Sequence, residues 1–204
     1  MKTKIFISII TLLLFSSEAT KAQGVHAGIK GGLNVSNLYV HNIHDTRFRP
    51  GFNFGLFLNA PVSEIVSLQP EFIFTTAGNR TYYHNNPYDG AVDFNLNYFQ
   101  IPILLDIRPV SFLDIYMGPY ASYLLNANTI TRGEFGAAYE ELNRGNFQFW
   151  DLGLSGGLGL NISSLQLGVR YNLGAKQIAN SNSARDLIGA SKNSVAQMYL
   201  AIKF

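Results

Sequence analysis

Apolar and polar side chains alternate along most of the chain, most clearly at its end. Met198, Leu200, Ile202 and Phe204 would share one face of a strand, and the intervening residues would share the other. The same period of two recurs in eight segments, whereas no stretch of helical length shows a convincing period of 3.6 residues. The predicted strands are 24–34, 51–59, 65–76, 95–107, 112–125, 147–160, 164–172 and 194–204.

The connections between these strands alternate between short and long. Short turns are predicted at 60–64, 108–111 and 161–164. The other four connections are about 16 to 21 residues long, rich in Asn, Ser, Gly and charge, and lie near 35–50, 77–94, 126–146 and 173–193. An even number of strands of about ten residues, with short turns at one end and long loops at the other, is typical of a transmembrane barrel. The sequence therefore predicts an all-β fold, an eight-stranded antiparallel up-and-down transmembrane β-barrel.

Charged residues inside the predicted strands all fall on the polar face. Eight strands leave an interior just wide enough for side chains to fill, and buried charges must find partners. We therefore expect a structural network of charges that plugs the lumen, with a narrow polar conduit as the alternative. Its expected members are Lys30, Glu71, Asp106, Asp114, Asp151, Arg170 and Lys203.

The opposite faces of the strands are apolar. In a membrane barrel they would contact lipid, and in a soluble lipocalin-like barrel they would form an internal core. Charged residues make up only 14% of the chain, which is low for a soluble surface. Aromatic residues on the apolar face at similar depth near the long loops predict an interfacial girdle. Both features favour lipid. The predicted girdle is Phe52, Phe74, Phe99, Tyr123, Trp150 and Tyr171.

Three prolines lie inside predicted strands, where each would remove a hydrogen bond from the sheet. They are Pro70 in the third strand, Pro102 in the fourth and Pro119 in the fifth. A closed barrel has no edge strand to hold them, so we expect β-bulges at these positions.

Residues 1–22 have the pattern of a secretory signal peptide: two lysines, an apolar run over 5–15, and small or polar residues up to Ala22. Cleavage is expected before Gln23, which leaves 23–204 as the barrel domain. Three Lys and one Glu leave with the peptide, so 12 basic and 12 acidic residues remain. Nothing in this balance favours nucleic acid as a partner, and the absence of Cys excludes disulfides.

Histidine is the residue type that would suggest metal or catalytic chemistry. His41 and His44, with His84 from the next long connection, have ligand chemistry but sit in predicted loops without helical spacing. His26 begins the first strand. No His falls on an apolar strand face, where a lipid-cleaving barrel enzyme would need one. We expect no catalytic residue, no metal and no cofactor.

Five short motifs follow one another along the chain: SLQPEF at 67–72, YFQIPILL at 98–105, GPY at 118–120, DLGL at 151–154 and LGVRY at 167–171. The ordered set resembles the PorT-like outer-membrane β-barrel proteins of Bacteroidota, a family of OmpA/OmpX-type barrels. That family commonly has Glu where Gln100 stands. The resemblance implies an outer-membrane location, and Phe204 resembles the C-terminal signal read by the barrel-insertion machinery. The founding member of the family is linked to secretion of proteins to the cell surface.

These expectations describe a monomeric barrel in outer-membrane lipid, with both termini in the periplasm and four long loops outside. The expected role is non-enzymatic: surface contact, structure, or accessory service to a secretion or assembly complex, with a protein of the surface or of that complex as partner. A narrow small-solute channel is the alternative, and a barrel enzyme or a soluble lipocalin-like binder comes third.

Overall fold

A computed structural model describes residues 24–39, 46–85, 88–133, 136–141, 147–176, 178 and 192–204. The predicted signal peptide, its cleavage site between Ala22 and Gln23, and the loop residues His41 and His44 lie outside the described residues. His84 lies within a strand, but its side chain is outside the described set.

The described chain is built from β-strands. Neighbouring long strands pair antiparallel, and β1 pairs with β10, which closes the sheet into a barrel of eight long strands. Two short strands, β2 and β7, pair with β4 and β6 at the long-loop end. The predicted eight-stranded antiparallel barrel is confirmed. The strands are β1 His26–Tyr39, β2 Thr46–Arg47, β3 Arg49–Pro61, β4 Val66–Asn85, β5 Tyr88–Val110, β6 Leu113–Gly133, β7 Gly136–Glu141, β8 Trp150–Ile162, β9 Leu165–Gly174 and β10 Lys192–Lys203.

Alternation along each strand separates an outer apolar face from an inner polar one. In β9, exposed and buried residues alternate without a break from Leu165 to Gly174. The inner positions of this strand include Arg170 and Asn172, and the outer ones are mostly aliphatic. Because successive side chains of a strand point to opposite faces, one short pattern places polar groups in the lumen and apolar groups towards lipid. No helix in the described ranges has the length and apolar character needed to cross a membrane.

The predicted long connections 77–94 and 126–146 are wrong over much of their length. Strands β4 and β5 stay paired as far as Asn85 and Tyr88, and β6 continues to Gly133 and pairs with β7. The sequence predicts loops here because these segments lack the apolar alternation of the barrel wall. Their pairing instead uses polar cross-strand contacts, such as the Asn95 amide donating to the Asn128 side-chain oxygen at 2.6 Å. We call the part of β4–β7 beyond the barrel wall, together with β2, the sheet extension.

The predicted bulges at the three prolines are also wrong. The described pairing keeps its register across Pro70, Pro102 and Pro119, and the register shifts lie elsewhere, at Asn97/Tyr98 and Ile107/Val110. Each proline is paired with one neighbouring strand and leaves a gap in its pairing with the other: β3 for Pro70, β4 for Pro102 and β5 for Pro119. Since proline has no N–H to donate, a gap of two residue pairs on one side accommodates it without an extra residue.

Candidate functional site in the lumen and sheet extension

The centre of the lumen holds an ion cluster of Glu71, Arg170 and Lys30. Two guanidinium nitrogens of Arg170 donate to the two carboxylate oxygens of Glu71, at 2.6 and 2.7 Å. The Lys30 ammonium lies 3.2 Å from each of these oxygens, and the Gln69 amide donates to one of them at 2.7 Å. These residues come from β1, β4 and β9, so the cluster ties distant parts of the barrel wall together. Bidentate, charge-assisted contacts of this kind are the strong hydrogen bonds in proteins.

Aromatic rings enclose this central cluster. The Lys30 ammonium lies 3.8 Å from the ring centroid of Tyr199, and the Arg170 guanidinium lies 5.0 Å from that of Tyr116. Tyr199 donates its hydroxyl to the Tyr116 hydroxyl at 2.8 Å. Glycine makes room for these rings, because a Cβ on Gly168 would lie 2.2 Å from a carbon of the Tyr199 ring. The glycines of the polar faces therefore admit large side chains that fill the lumen.

A second ion cluster, at the short-turn end, is formed by Asp114, Arg108 and Lys203. Arg108 donates to both Asp114 oxygens at 2.6 and 3.2 Å, and the Lys203 ammonium lies 3.1 Å from one of them. The Gln166 amide adds a hydrogen bond of 2.6 Å. Sequence reasoning missed Arg108 because it was assigned to the turn 108–111. Its even spacing from Asp106 was the signal for a lumen position, since residues two apart share a strand face.

The other two predicted lumen carboxylates lie towards opposite ends. Asp106 accepts a hydrogen bond from the Asn59 amide at 3.1 Å and belongs to the short-turn end. Asp151 lies towards the long-loop end, where Tyr120 and Asn193 donate to it at 3.1 and 2.8 Å. All seven predicted lumen residues face inward, and Lys203 is the one not fully buried. The structure brings them together as two clusters, with Asp106 beside the cluster at the short-turn end and Asp151 separate.

An apolar core closes the lumen at the long-loop end. Sequence reasoning missed this core because several of its members lie in predicted loops. Apolar residues in otherwise polar connections, such as Phe94 and Ile178, were the available signal. The Phe94 and Phe147 rings pack with centroids 5.4 Å apart. The core comprises Ala77, Phe94, Leu96, Tyr98, Leu124, Ala127, Phe147, Ile178 and Val195.

Aromatic side chains on the outer face form a cross-strand row. Register places Phe74 opposite Phe99, Phe99 opposite Tyr123, and Tyr123 opposite Trp150. Phe52 packs against the row, its ring centroid 5.8 Å from that of Phe74. Tyr171 stands apart, opposite Gly156 and Ala196, and its hydroxyl lies 2.6 Å from that of Ser194.

The outer face changes from apolar to polar directly beyond this row. Asn97, two residues from Phe99 on β5, donates to the Asn126 side-chain oxygen at 2.5 Å. The Asn95–Asn128 pair follows, and Arg80 then pairs with Asp93. Asn95, Asn128 and Asp93 are buried, so these pairs join the strands and are covered from solvent. On the outer face of a membrane barrel, a band of aromatic residues followed by polar residues is usual at the membrane interface. The apolar belt therefore ends at the aromatic row, and the sheet extension lies outside it.

Phe204 lies at the opposite end of the outer apolar face. Its side chain is exposed, and its backbone N–H donates to the Ala27 carbonyl at 2.8 Å, which holds the last residue against β1. The terminal aromatic is thus presented outward at the seam where β1 and β10 close the barrel.

The described residues bring together few groups with catalytic or metal-binding chemistry. Across them, no three His, Cys, Asp or Glu side chains are grouped to hold a metal ion. His26 is exposed at the start of β1. The buried carboxylates are mainly engaged by Arg, Lys and amide donors, an arrangement that fixes side chains in place.

Comparison with solved structures shows likeness to small bacterial outer-membrane barrels. Ail, the attachment invasion locus protein of Yersinia pestis, solved with the heparin analogue sucrose octasulfate, is 14% identical with a TM-score of 0.50, over 88% of this chain and 99% of Ail. Neisserial surface protein A is 14% identical with a TM-score of 0.49, over 89% of this chain and 97% of that one. At this identity the likeness to Ail shows the fold alone.

Comparison with curated proteins gave no match. The family model described as outer membrane protein beta-barrel domain matches residues 15–180. That range covers most of the barrel strands, from β1 to β9. Together with the closed eight-stranded sheet and its apolar outer face, the match shows that the chain belongs to the outer membrane protein beta-barrel domain family.

Proposed function

We propose that this outer-membrane barrel is a non-enzymatic contact protein, which presents the sheet extension at the cell surface. The observation that carries the proposal is the continuation of β4, β5 and β6 beyond the aromatic row, where the outer face becomes polar. A rigid scaffold that carries a segment beyond the membrane is a common arrangement for binding. In this arrangement the short turns and both ends of the barrel domain face the periplasm.

The lumen supports a contact role better than a transport role. Glu71 and its two cations fill the centre, aromatic rings enclose them, and an apolar core closes the long-loop end. A small-solute channel would need a continuous polar path through these layers.

The resemblance to PorT-like barrels supports a more specific role, accessory service to a secretion or assembly complex of Bacteroidota. In that role the partner is a protein that contacts the sheet extension, and the barrel supplies the membrane anchor.

Two single-cysteine variants test which end contacts the outside, because the chain has no natural Cys. Asn85→Cys lies at the end of β4 in the extension, and Ser163→Cys lies in the short turn between β8 and β9. A membrane-impermeant maleimide added to intact cells should label Asn85→Cys and leave Ser163→Cys unlabelled until the cells are broken. The opposite labelling would invert the barrel and contradict the proposal.

Photo-crosslinking tests the contact itself. A photoreactive residue at position 85 should give discrete adducts in intact cells, and the same residue at 163 should not give them. In a shortened variant, Asn-Gly replaces residues 82–91, so that the Thr81–Val92 pair closes a tight hairpin. This variant should still migrate as a folded barrel before boiling, yet lose the biological contact identified by the adducts. If the shortened variant folds and still makes the contact identified by the adducts, the proposal is wrong.

A further inference from the structure

A small polar cavity lies in the lumen between the central ion cluster and the apolar core. About 10 Å³ of it is open to a water-sized sphere, and a single water needs about 10–15 Å³ by this measure. The cavity therefore has room for one small particle. It is lined by Thr75, Ala77, Tyr98, Gln100, Tyr120, Ser122, Asp151, Asn172, Asn193 and Val195.

Three buried oxygen atoms of this lining have no hydrogen-bond partner among the described residues. They are Oδ1 of Asp151, Oε1 of Gln100 and Oδ1 of Asn193. All three residues are more than nine-tenths buried. Strand register places Gln100 opposite Ser122 and Ser122 opposite Asp151, and the Asn193 amide bonds the other Asp151 oxygen. Unpartnered buried acceptors are costly, so three around one cavity indicate a missing electropositive partner.

Asp151 also lacks a buried counter-charge. In the described part of the chain its hydrogen-bond donors are Tyr120 and Asn193, which are neutral. Lys176, whose charge acts on it, is exposed. The positive charge of the central cluster is engaged with Glu71 and with the rings of Tyr116 and Tyr199. A buried carboxylate that keeps its charge without a cation is strongly disfavoured, so Asp151 must either take a proton or gain a cation.

The lining and the size of the cavity restrict what can fill it. A water molecule has two hydrogens for three acceptors and leaves the carboxylate charge uncompensated. Ca²⁺ would meet one carboxylate in this lining and keep an uncompensated positive charge, and Mg²⁺ usually keeps several waters, which a cavity for one particle does not admit. We propose that this cavity is a binding site for one dehydrated monovalent cation, with Na⁺ as the fitting size, held by the free oxygens of Asp151, Gln100 and Asn193 together with hydroxyl oxygens of the lining such as those of Thr75 and Ser122.

Thermal unfolding of the full barrel domain in detergent tests this proposal, with NaCl exchanged for choline chloride at constant ionic strength. Choline is too large for the cavity and controls for general salt effects. A ligand that binds only the folded state raises the unfolding temperature with its concentration. The midpoint should therefore rise as Na⁺ replaces choline. An equal midpoint in the two salts at every ratio would overturn the proposal.

Two carboxylate variants place the effect in the lumen. Asp151→Asn should abolish the dependence on Na⁺, because it removes the charge and an anionic ligand. Asp106→Asn is the matched control: Asp106 is also buried with an unpartnered oxygen, but it lies at the short-turn end. It should retain the full dependence. Retention by Asp151→Asn, or loss in both variants, would contradict the assignment.

A third variant keeps the test decisive if Asp151→Asn does not fold. Gln100→Met preserves much of the side-chain shape and removes one ligand oxygen. The Na⁺ concentration for half-maximal stabilisation should increase in this variant. An unchanged concentration would exclude Gln100 as a ligand and overturn the proposed site.

Discussion

The lumen contains two clusters of similar composition in two different environments. Each has one fully buried carboxylate, Glu71 or Asp114, between one arginine and one lysine. In the central cluster the cation side chains are 1% and 2% exposed, for Arg170 and Lys30. At the short-turn end Arg108 and Lys203 are 38% and 18% exposed. Apart from Asp106, which adds a second buried carboxylate at the short-turn end, the charges are alike, so the main contrast between the clusters is the access of their cations to solvent.

The contrast indicates that an ion pair at the centre of the lumen stabilises the fold, whereas a similar pair at the short-turn end mainly fills the opening of the barrel. A charge left unpaired at the centre of the lumen cannot reach water. Removal of its partner therefore destabilises the fold by the full desolvation free energy of that charge. At the short-turn end, a cation that loses its partner can rotate into water, and salt screens what remains. The central cluster should therefore hold the wall together, and the outer one should contribute little.

The largest effect is expected from Glu71→Ala. It leaves Lys30 and Arg170 buried without their shared carboxylate, and loss of a partner in such a setting costs about 3–5 kcal/mol. The free energy of unfolding, measured with denaturant in lipid vesicles, checks this value. A loss no larger than that of the Arg108→Ala variant would remove the distinction between the two clusters.

A double-mutant cycle on Glu71 and Arg170 should show strong coupling. Arg170→Ala alone should also destabilise the barrel. The loss in free energy of unfolding of the double variant should be smaller than the sum of the losses of the two single variants. A coupling energy of about 0.5–3 kcal/mol is typical for residues in one ion network. Additive losses would mean that the bidentate contact between these side chains does not contribute to stability.

Asp114→Ala should have a smaller effect than Glu71→Ala. It removes charge-assisted hydrogen bonds worth about 1.5–3 kcal/mol, but Arg108 and Lys203 can reach water and still face Asp106. The same unfolding experiment measures this difference. If Asp114→Ala is as damaging as Glu71→Ala, exposure of the cations is not what separates the clusters.

The smallest effect is expected from Arg108→Ala. Asp114 is fully buried, but after the loss of Arg108 it keeps its contacts with Lys203 and Gln166. Arg108 itself is partly exposed, so the loss should be about 1 kcal/mol, the upper end for exposed pairs, and it should fall as salt is raised because exposed charges are screened. Unfolding at low and high salt measures both. A salt-independent loss of several kcal/mol would show that Arg108 acts as a buried charge.

Much of the barrel wall was predictable because lipid and lumen impose a strict period of two on each strand. The inward placement of Glu71 and Arg170 follows from that period. Their pairing does not, because these residues are far apart in sequence and meet only through the barrel's shear and register. Arg108 was missed because a strand end and a turn look alike in a single sequence.

The sheet extension and the apolar core could not be predicted in the same way. Beyond the aromatic row neither face meets lipid, so the period of two loses its apolar signal. Asn95 and Asn97 are unfavourable in strands by propensity, yet they pair with Asn128 and Asn126 across two strands. Phe94 is buried in the core at the mouth of the barrel. Such tertiary contacts override local preference.

The central claim is that side chains close this lumen, and conductance in planar lipid bilayers tests it most directly. The parent barrel, inserted in a single orientation at neutral pH, should show no steady conductance, since the central cluster, its tyrosines and the apolar core leave no continuous polar path. Reproducible, ion-selective openings from the parent protein would contradict the account and would make Glu71 and Arg170 the lining of a pore.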